Sequence, residues 1–550
     1  MFFKYIPKHS HNFSLMPNDT KNLKEQENNQ TVYTSIDLNQ KYMQTKYNTL
    51  INSDIIMREF SLTSRNKQYK SFIIYIDGMV DSQLINRFVL NPLMLRNINN
   101  TYDGDIEKEI SSQLLKDKIT VKKVKTVTLV DYIYNCLMPQ NTLKKQTEFK
   151  EILSSINSGN CILFVDTIDT AFDIDVKGFK QRGVEPPNNE IVIKGPQEAF
   201  VENIRTNTSL LRRIINNENL IIESLSVGEM SNTKCAICYM QNIANSNLVA
   251  EVKYRLNNLS IDTLISTGQL EQLIEDNSYI GIPQLISTER PDKCSKYLMQ
   301  GRVVILVNGN PYSLIAPSVF IDFLASPEDI NLKGLFANFL KLIRLMALVI
   351  TLLLPGTYIA VTSFHQEILP TELLFSILAA RENVPFPIIF EIIIMELSFE
   401  LIREAGLRVP SPIGATLGIV GALILGDAAV NASIVSPILI IIVAITGLSS
   451  FTIPDFSFGF HLRIYRFLFI LLGFGFGFLG IGIGVFAYLS MICGMKSFGV
   501  PFMSPIAPDT ENGQNGYFIP PIWKRENRPS YISAKQKKSQ KKISKAWEKN

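Results

Sequence analysis

FLFILLGFGFGFLGIGIGVFAYLSMICGM, residues 467–495, is a stretch of 29 residues without a charged side chain. Three further uncharged stretches precede it, at 345–366, 409–426 and 428–454. About 20 apolar residues cross the hydrocarbon core of a bilayer, so these stretches predict an integral membrane protein. The alternative is a very large buried helical core, which would have to hide all four segments in one half of the chain.

Composition supports the membrane interpretation. Of the 550 residues, 46% are hydrophobic and 19% are charged, against about 25% charged in ordinary globular domains. This balance argues against a disordered chain and against a soluble nucleic-acid-binding protein. The six cysteines are too scattered for a disulfide framework and indicate reduced thiols facing a cytoplasm. The start of the chain lacks the apolar stretch of a signal peptide.

The fold class predicted from these patterns is a two-part α/β soluble N-terminal region followed by an all-α polytopic membrane domain. Five regions are expected: a flexible extension rich in Asn, Gln and Lys (1–50), a first α/β subdomain (51–160), a second α/β subdomain (161–335), a helical membrane domain (336–505) and a basic cytoplasmic tail (506–550). The last 27 residues, 524–550, contain ten Lys or Arg and two acidic residues, a net charge of +8.

Two local signals stand out in the soluble half. Asn308-Gly309 lies between two apolar runs and predicts a β-hairpin. Residues 196–215 predict an amphipathic helix, with Gly195 at the cap and Pro196 in the first turn. Three arginines fall mainly off the apolar stripe of that helix and form either a solvated face or a docking surface: Arg205, Arg212 and Arg213.

Several apparent motifs carry no chemistry. Gly475, Gly477 and Gly480 fit the dinucleotide fingerprint GxGxxG, but they lie inside the uncharged 467–495 run without a following polar helix. Cys235 and Cys238 sit in an apolar strand, where residues three apart point to opposite faces. We therefore predict that the protein is not an enzyme, and that it has no catalytic, cofactor-binding or metal site.

An apolar segment with an acidic face carries the most specific signal in the membrane half. Residues 387–408 have the apolar content of a span, yet Glu396, Glu400, Arg403 and Glu404 fall within about a 100° sector of a helix. Charges at bilayer depth must face protein or water, since each costs roughly 2.5–3.5 kcal/mol in lipid. The alternatives are an interfacial amphipathic helix or internal pairing of Arg403 with Glu400, against a water-lined pathway or subunit interface.

Positive charges suggest a topology. With the soluble half inside, four crossings alternate, and their basic connections fall on one side, as the positive-inside rule requires: 342–361, 387–405, 411–430 and 433–453. If the Gly-rich run 467–495 crossed the membrane once, the basic tail would lie on the outer side. We therefore predict that this run forms a re-entrant or broken hairpin, with both chain termini cytoplasmic.

A cation pathway is predicted between these spans. We expect Glu396 and Asp427 to line it, with Glu400 and Asn431 near its two ends. Small residues of 413–426, including Gly418 and Gly421, would form a narrow apolar gate and allow close helix packing. Repetition of the acids around a ring of subunits would admit cations such as K⁺ and repel anions.

Five strings, in order and spacing, resemble the A-type subunits of the GerA family of spore germinant receptors: YIDGMVD (75–81), GPQEAFVENIRTNTSLLRRI (195–214), TERPD (288–292), ELIREAGLRVPSPIGATLGIVGALILGDAAVNASIVSPILI (400–440) and SFGVPFMSPIAP (497–508). The resemblance runs from about residue 55 to 510. At Asp427 we expect Gln in many members.

This resemblance implies a multi-pass protein of the spore inner membrane that triggers germination in response to nutrients. It also implies a transporter-like B subunit and a lipoprotein C subunit as partners, and homo-oligomers that form a ligand-gated ion channel. Motif residues expected at a subunit or partner interface are Gly195, Pro196, Phe200, Glu202, Asn207, Arg212, Arg213, Glu289, Arg290 and Asp292. The alternatives are an accessory channel or transport protein of the same family, acting in ion or dipicolinate release, and a stand-alone solute carrier. The single membrane block disfavours a carrier, which would show two comparable halves.

Overall fold

Two five-stranded antiparallel sheets make up the first half of the chain, here in a computed structural model that describes residues 15, 30–64, 67–94, 128–178, 186–187, 189–408, 426–509, 518 and 520–540. The first sheet has the spatial order β1-β2-β4-β5-β3. Its strands are β1 (Ile55–Ser64), β2 (Lys67–Ile76), β3 (Leu143–Gln146), β4 (Cys161–Val165) and β5 (Ala171–Ile174). We call this sheet with its covering helices the first unit.

The second sheet repeats the same order with the next five strands, β6-β7-β9-β10-β8. These strands are β6 (Leu220–Val227), β7 (Thr233–Met240), β8 (Ile286–Thr288), β9 (Val303–Val307) and β10 (Ser313–Ala316). We call this sheet with its helices the second unit. The antiparallel β9–β10 pair spans the turn at Asn308-Gly309, where Gly309 has φ +85°, so the predicted hairpin is confirmed.

Helices cover both sheets because each sheet is apolar on its two faces. The helices of eight or more residues in the two units are α1 (Ile36–Tyr47), α2 (Phe149–Asn157), α3 (Ile204–Ile214), α4 (Ser246–Asn257), α5 (Thr267–Ile274) and α6 (Pro291–Gln300). Cys235 and Cys238 of β7 belong to the cores on opposite faces of the second sheet, as the strand period of two requires.

The second half of the chain is helical. Its helices are α7 (Gly334–Phe364), α8 (Thr371–Arg381), α9 (Ile388–Arg408), α10 (Pro437–Phe451) and α11 (Phe456–Gly494). Within the described residues, α7 and α11 are long and apolar enough to cross a membrane, judged by length and composition. The predicted fold class, an α/β region followed by an apolar helical region, is confirmed.

The α11 segment reverses direction at Gly477, whose φ of +59° and ψ of −140° are not helical. His461 lies beside Tyr488 across the two arms, with 3.2 Å between Nε2 and the hydroxyl oxygen. The Gly-rich run therefore forms the predicted hairpin, but with arms of 21 and 17 residues rather than about 14. The first arm is longer because the helix begins at Phe456, before the uncharged run, and so includes Arg463 and Arg466. The hairpin packs closely on α7, where a Cβ at Gly473 would lie 2.5 Å from the Gly356 carbonyl oxygen.

The segment after the hairpin returns to the second unit. Arg528 donates from Nε to the Met299 carbonyl (2.7 Å), and the Lys535 amide donates to the Ile243 carbonyl (2.8 Å). Ile532 is fully buried in this contact. Residues 520–540 of the predicted basic tail are thus docked on the second unit, and we call them the docked segment.

Three other expected boundaries shift. The division at residue 160 falls inside the first sheet, since β4 and β5 pair with its strands after that point. The flexible extension 1–50 contains α1, which packs on the first sheet through the buried Met43 and Tyr47. The helix predicted over 196–215 begins only at Ile204, because the Asn203 side chain caps it by accepting from the Arg205 amide at 2.9 Å.

Candidate functional site

A cluster of five charged side chains lies between α9 and the first arm of α11. Its acids are Glu396 and Glu400 of α9, and its bases are Arg403 of α9 with Arg463 and Arg466 of α11. We call it the charge cluster. It carries three positive and two negative charges inside an otherwise apolar helical region.

The pair at the centre of the charge cluster is Glu396 with Arg466. Both side chains are fully buried, and 2.7 Å separates Arg466 Nη2 from Glu396 Oε2. Arg466 also reaches Glu400, at 3.3 Å, so one guanidinium joins two acids that are one helical turn apart. The i,i+4 spacing of the acids on α9 and the i,i+3 spacing of Arg463 and Arg466 on α11 place both sets face to face.

Hydrogen bonding in the charge cluster is incomplete. Both carboxylate oxygens of Glu396 are buried without a well-aligned hydrogen bond, and so are two guanidinium nitrogens of Arg466. The opposite charges are therefore close together, but they lack the aligned hydrogen bonds that would offset the cost of removing them from water. Such an arrangement is destabilising, because each buried polar atom without a hydrogen bond lowers the stability of the folded protein by about 1–3 kcal/mol.

A second buried carboxylate, Glu391, lies at the other end of α9. It pairs with Arg381 of α8 (3.2 Å) and accepts from the Ser436 amide at the start of α10 (3.1 Å). Glu391 therefore fastens three helices together at this end. It lies away from the Glu396–Glu400 face, as its position on the helix predicts.

A cleft of about 730 Å³ separates the two sheet units. On one side lies the turn after β2, with Asp77 and Asp81; on the other lie Arg205 and Arg213 of α3, and Glu198, which precedes α3 and pairs with Arg213. Arg205 approaches Asp77 to 3.4 Å across the cleft. At Gly78, φ is +87° and an added Cβ would lie 3.2 Å from the Arg205 carbonyl oxygen, so a side chain there would be strained and crowded.

Beside the cleft, Arg212 locks the two units together. Its Nε and Nη2 donate to the two carboxylate oxygens of Asp54, each at 2.8 Å, and Nη2 also donates to Asn52 (3.1 Å). The Ser53 amide adds a bond to the Ile222 carbonyl (3.0 Å). We call this contact the Arg212 latch. Bidentate pairing of this kind fixes both distance and orientation.

A group of partly buried carboxyls lies where the second unit meets the hairpin. Burial raises the pKa of Glu271 to about 8, and the nearby carboxyls of Glu275 and Asp455 act in the same direction. Burial also raises the pKa of Glu275 to about 7, although the backbone of Gln284 opposes the shift by hydrogen bonding. This junction therefore responds to protons in the neutral range.

Comparisons with known proteins agree with one another. The family described as "Bacillus/Clostridium GerA spore germination protein" matches residues 41–531. "Spore germination protein KA" of Bacillus subtilis (strain 168) is 36% identical over 514 residues, which are 93% of this chain and 90% of the relative. The chain belongs to the GerA family of spore germination proteins.

Two further similarities concern this GerA chain. "Uncharacterized membrane protein YfkQ" of Bacillus subtilis (strain 168) is 33% identical over 93% of the chain and 94% of the relative. The crystal structure of the N-terminal domain of the A subunit of the Bacillus megaterium spore germinant receptor GerK3 covers 53% of this chain and 98% of its own, at 28% identity and a TM-score of 0.37.

The structure does not bring the predicted pathway residues of the GerA chain into contact with one another as one group. Glu396 and Glu400 are joined through Arg466, whereas Asp427 and Asn431 are exposed and have no recorded contact with the charge cluster among the described residues. Gly418 and Gly421 lie outside the described residues. Glu396 pairs instead with Arg466, which approaches from a helix that is distant in sequence.

Half of the ten predicted interface residues are buried inside the chain. Phe200, Asn207, Arg212, Glu289 and Arg290 are buried, so in this arrangement they offer no docking surface. Exposed positions of the set are Gly195, Pro196, Glu202 and Arg213.

The TERPD motif organises the segment that precedes α3. Arg290 donates to the carbonyls of Glu190 (3.0 Å) and Pro196 (2.7 Å) and pairs with Asp292 at 2.9 Å. Glu289 accepts from the amides of Asn189 and Glu190 at 2.7 and 3.0 Å. These bonds hold the chain extended where a helix was expected.

The sequence did not reveal the long-range partners of four charged residues. Arg212 pairs with Asp54, Glu391 with Arg381, Glu400 with Arg463, and Glu396 with Arg466. Arg463 and Arg466 were assigned to a cytoplasmic connection by the positive-inside rule. Their spacing of three residues, matched against Glu396 and Glu400, is the signal that indicates a buried pairing.

Proposed function

We propose that this GerA protein is a multi-pass membrane subunit of a nutrient germinant receptor, with both sheet units and the docked C-terminal segment on the cytoplasmic side. The direction of the helices supports this topology. Helix α7 leaves the second unit and ends near Gly477, the tip of the hairpin, while α11 starts and finishes beside the second unit. Arg403 near the end of α9 contacts Ser450 near the end of α10 (3.1 Å), so both helices return to the same side.

We further propose that several copies assemble into a cation channel whose closed state contains the charge cluster. The observation that carries this proposal is a fully buried Glu396–Arg466 pair within apolar helices, since ionisable groups at bilayer depth mark ion pathways or gates. In this arrangement Arg466 neutralises Glu396, so conduction requires the charge cluster to rearrange. Asp427 is exposed and has no ion pair among the described residues, which leaves its charge available to attract cations.

The transporter-like B subunit and the lipoprotein C subunit complete the proposed receptor. Their assignment as partners rests on the family resemblance. Of the motif positions expected at an interface, Gly195, Pro196, Glu202 and Arg213 are exposed and remain available to a partner.

Topology is tested by thiol labelling. In a variant in which the exposed Cys136 and Cys493 are replaced by Ser, single cysteines at Asn431 and Lys538 should react with a membrane-impermeant reagent from opposite sides of the membrane. Labelling from the same side contradicts the proposed topology.

Conduction is tested by flux from proteoliposomes that contain the purified protein with its receptor partners. We expect K⁺ to pass in preference to Cl⁻, and Asp427→Asn to reduce that preference. Glu372→Gln, which removes an exposed acid from α8, is the matched control and should leave selectivity unchanged. Unaltered selectivity in Asp427→Asn removes Asp427 from the pathway, and absence of any ion flux contradicts the channel.

A further inference from the structure

A basic cavity of about 120 Å³ lies where α6, the start of α7 and the docked C-terminal segment meet. Four of its lining residues are cationic: Lys296, Arg302, Lys341 and Arg525. Two are acidic: Asp322 and Asp329. We call it the basic cavity. It is separate from the charge cluster and from the cleft between the sheet units.

Both acids of the basic cavity are already paired. Asp322 accepts from the guanidinium of Arg302 at 2.6 and 3.1 Å, and Asp329 accepts from Arg344 at 2.7 Å. Lys296 and Arg525 have no ion pair with any residue that the structure describes. The cavity therefore keeps an excess of positive charge.

The cations act on one another. The pKa of Lys296 is lowered to about 8, chiefly by burial; the charge of Asp322 opposes this shift, and the charges of Lys341, Arg302 and Arg525 contribute to it. Cations held this close without enough counter-charge repel each other, and a bound anion would relieve that repulsion.

Exposed apolar and aromatic side chains lie on two of the segments that line the cavity, the start of α7 and the docked segment. Leu335, Phe336 and Phe339 near the start of α7 are 79%, 56% and 62% exposed. Ile522 and Trp523 of the docked segment are 58% and 46% exposed. Exposed aromatic residues beside Lys and Arg at the start of an apolar helix are characteristic of the membrane–water interface.

We propose that the basic cavity binds the phosphate of an anionic phospholipid head group in the cytoplasmic leaflet. Its Lys and Arg side chains donate charge-assisted hydrogen bonds to phosphate oxygens, and the acyl chains lie against the apolar side chains at the start of α7. A volume of about 120 Å³ equals roughly four water molecules of the liquid. It suits a phosphate group and is well below the roughly 300 Å³ that a drug-sized ligand needs.

The site includes residues from three separate parts of the chain, so lipid binding would fasten the docked C-terminal segment to the first membrane helix. The inference rests on the proposed cytoplasmic orientation of the second unit. It does not depend on channel activity.

Trp523 provides a direct probe. The chain has two tryptophans, so Trp547→Phe leaves Trp523 as the only one. We expect phosphatidylglycerol, titrated into neutral detergent micelles that hold the full-length protein, to cause a saturable change in Trp523 fluorescence. Phosphatidylcholine and inorganic phosphate should not reproduce that change.

Charge variants identify the site. Removing the two cations that form no ion pair with a described residue, in Lys296→Gln/Arg525→Gln, should raise the half-saturating phosphatidylglycerol concentration at least about tenfold. Lys537→Gln/Lys538→Gln removes the same charge from exposed positions of the docked segment and should leave it unchanged. Lys296→Arg/Arg525→Lys keeps both charges and should retain binding. If the double Gln variant does not fold, Arg525→Gln alone should still weaken binding.

Each contrary result has a distinct meaning. A response to inorganic phosphate equal to that of the lipid overturns the lipid assignment in favour of free phosphate. An equal response to phosphatidylcholine, or equal weakening by Lys537→Gln/Lys538→Gln, overturns the site itself. Because the readout is lipid binding, failure here is distinguishable from failure of the K⁺ flux assay or of the cysteine labelling.

Discussion

The two sheet units share one strand order, yet they are attached to the molecule in different ways. Both apolar cores of the first unit contain only residues from that unit. A core of the second unit continues without a break into α7 and α11, through Phe323, Phe458 and Phe469. The first unit instead meets the second through polar contacts, chiefly the Arg212 latch and the Asp77–Arg205 pair.

Because of this difference, we expect the second unit to be fixed to the helices and the first unit to be movable relative to them. Apolar burial between the second unit and the helices is non-directional and large, so the two parts should move together. Polar pairs can exchange with water, and a cleft lies beside them, so the first unit is able to change its angle to the rest. A signal that alters the cleft would reach the helices through the second unit.

The largest effect is expected where the second unit joins the hairpin. Phe458 is fully buried and packs on Phe323 and Phe320, with ring centroids 5.6 and 5.7 Å away. Phe458→Ala should destabilise the protein by about 3–5 kcal/mol, because it removes an aromatic ring from a packed core. The measurement is thermal unfolding of the purified protein in detergent.

Phe486→Ala is the matched control for this substitution. Phe486 lies on the same helix and is 76% exposed, so its loss should change the melting temperature little. If Phe458→Ala unfolds like the unaltered protein, the second unit is not continuous with the helices and the comparison fails.

The next effect concerns the Arg212 latch. Arg212→Met leaves the buried Asp54 without its partner and should weaken the contact between the units by about 3 kcal/mol. Hydrogen exchange at the Ser53 and Ile222 amides, which bridge the units, should accelerate about a hundredfold. Adding Asp54→Asn should restore part of the loss, because the uncompensated charge is then absent.

Arg213→Met is the control for the latch. This neighbouring arginine is exposed and pairs with Glu198 at the surface, so its removal should cost about 0–1 kcal/mol. Equal acceleration in the two variants would mean that the latch has no special role in joining the units.

Local signals made part of this arrangement predictable. Asn308-Gly309 marks a hairpin by its own turn preference, and the glycines around Gly477 mark a break in an apolar run. Both features depend on a few consecutive residues. The α/β and helical halves were likewise readable from the distribution of charge along the chain.

The long-range pairs were not predictable in the same way. Arg212 lies 158 residues from Asp54, and Arg466 lies far from Glu396, so neither pairing leaves a pattern within one element. An arginine off the apolar stripe of a helix was therefore interpreted as solvated or as a docking residue. The extended segment before α3 escaped prediction because the buried Arg290 that holds it lies about 95 residues later.

A smaller effect is expected from pH at the junction of the second unit with the hairpin. Glu271 has a pKa of about 8 in the folded protein, so it binds protons more tightly there than in the unfolded chain, where a Glu titrates near about 4.3. The free energy of unfolding is therefore highest below about pH 4.3 for this group and falls as the pH rises towards about 8. We expect the melting temperature of the protein in detergent to decrease over that range.

Glu271→Gln should flatten the decrease, since the amide does not titrate. Glu148→Gln removes an exposed acid from the first unit and should leave the pH profile unchanged. A profile that stays steep in Glu271→Gln would place the pH response at a group other than Glu271.

The smallest effect is expected at the rim of the cleft. Arg205 is 71% exposed and its nitrogen lies 3.4 Å from Asp77, a loose pair that water screens well. Arg205→Ala should therefore lower the free energy of unfolding by less than about 0.5 kcal/mol, a change too small to detect as a shift in melting temperature. Arg205 faces the cleft, whereas Arg212 of the same helix forms the latch. Variants at these two positions therefore distinguish an effect on the cleft from an effect on the stability of the contact between the units. If nutrient-triggered germination slows in spores that carry Arg205→Ala while the melting temperature and the exchange at Ser53 stay unchanged, the cleft takes part in signalling. If germination is also unchanged, the polar contact between the units is held by the Arg212 latch alone, and the Asp77–Arg205 pair does not contribute to the difference between them.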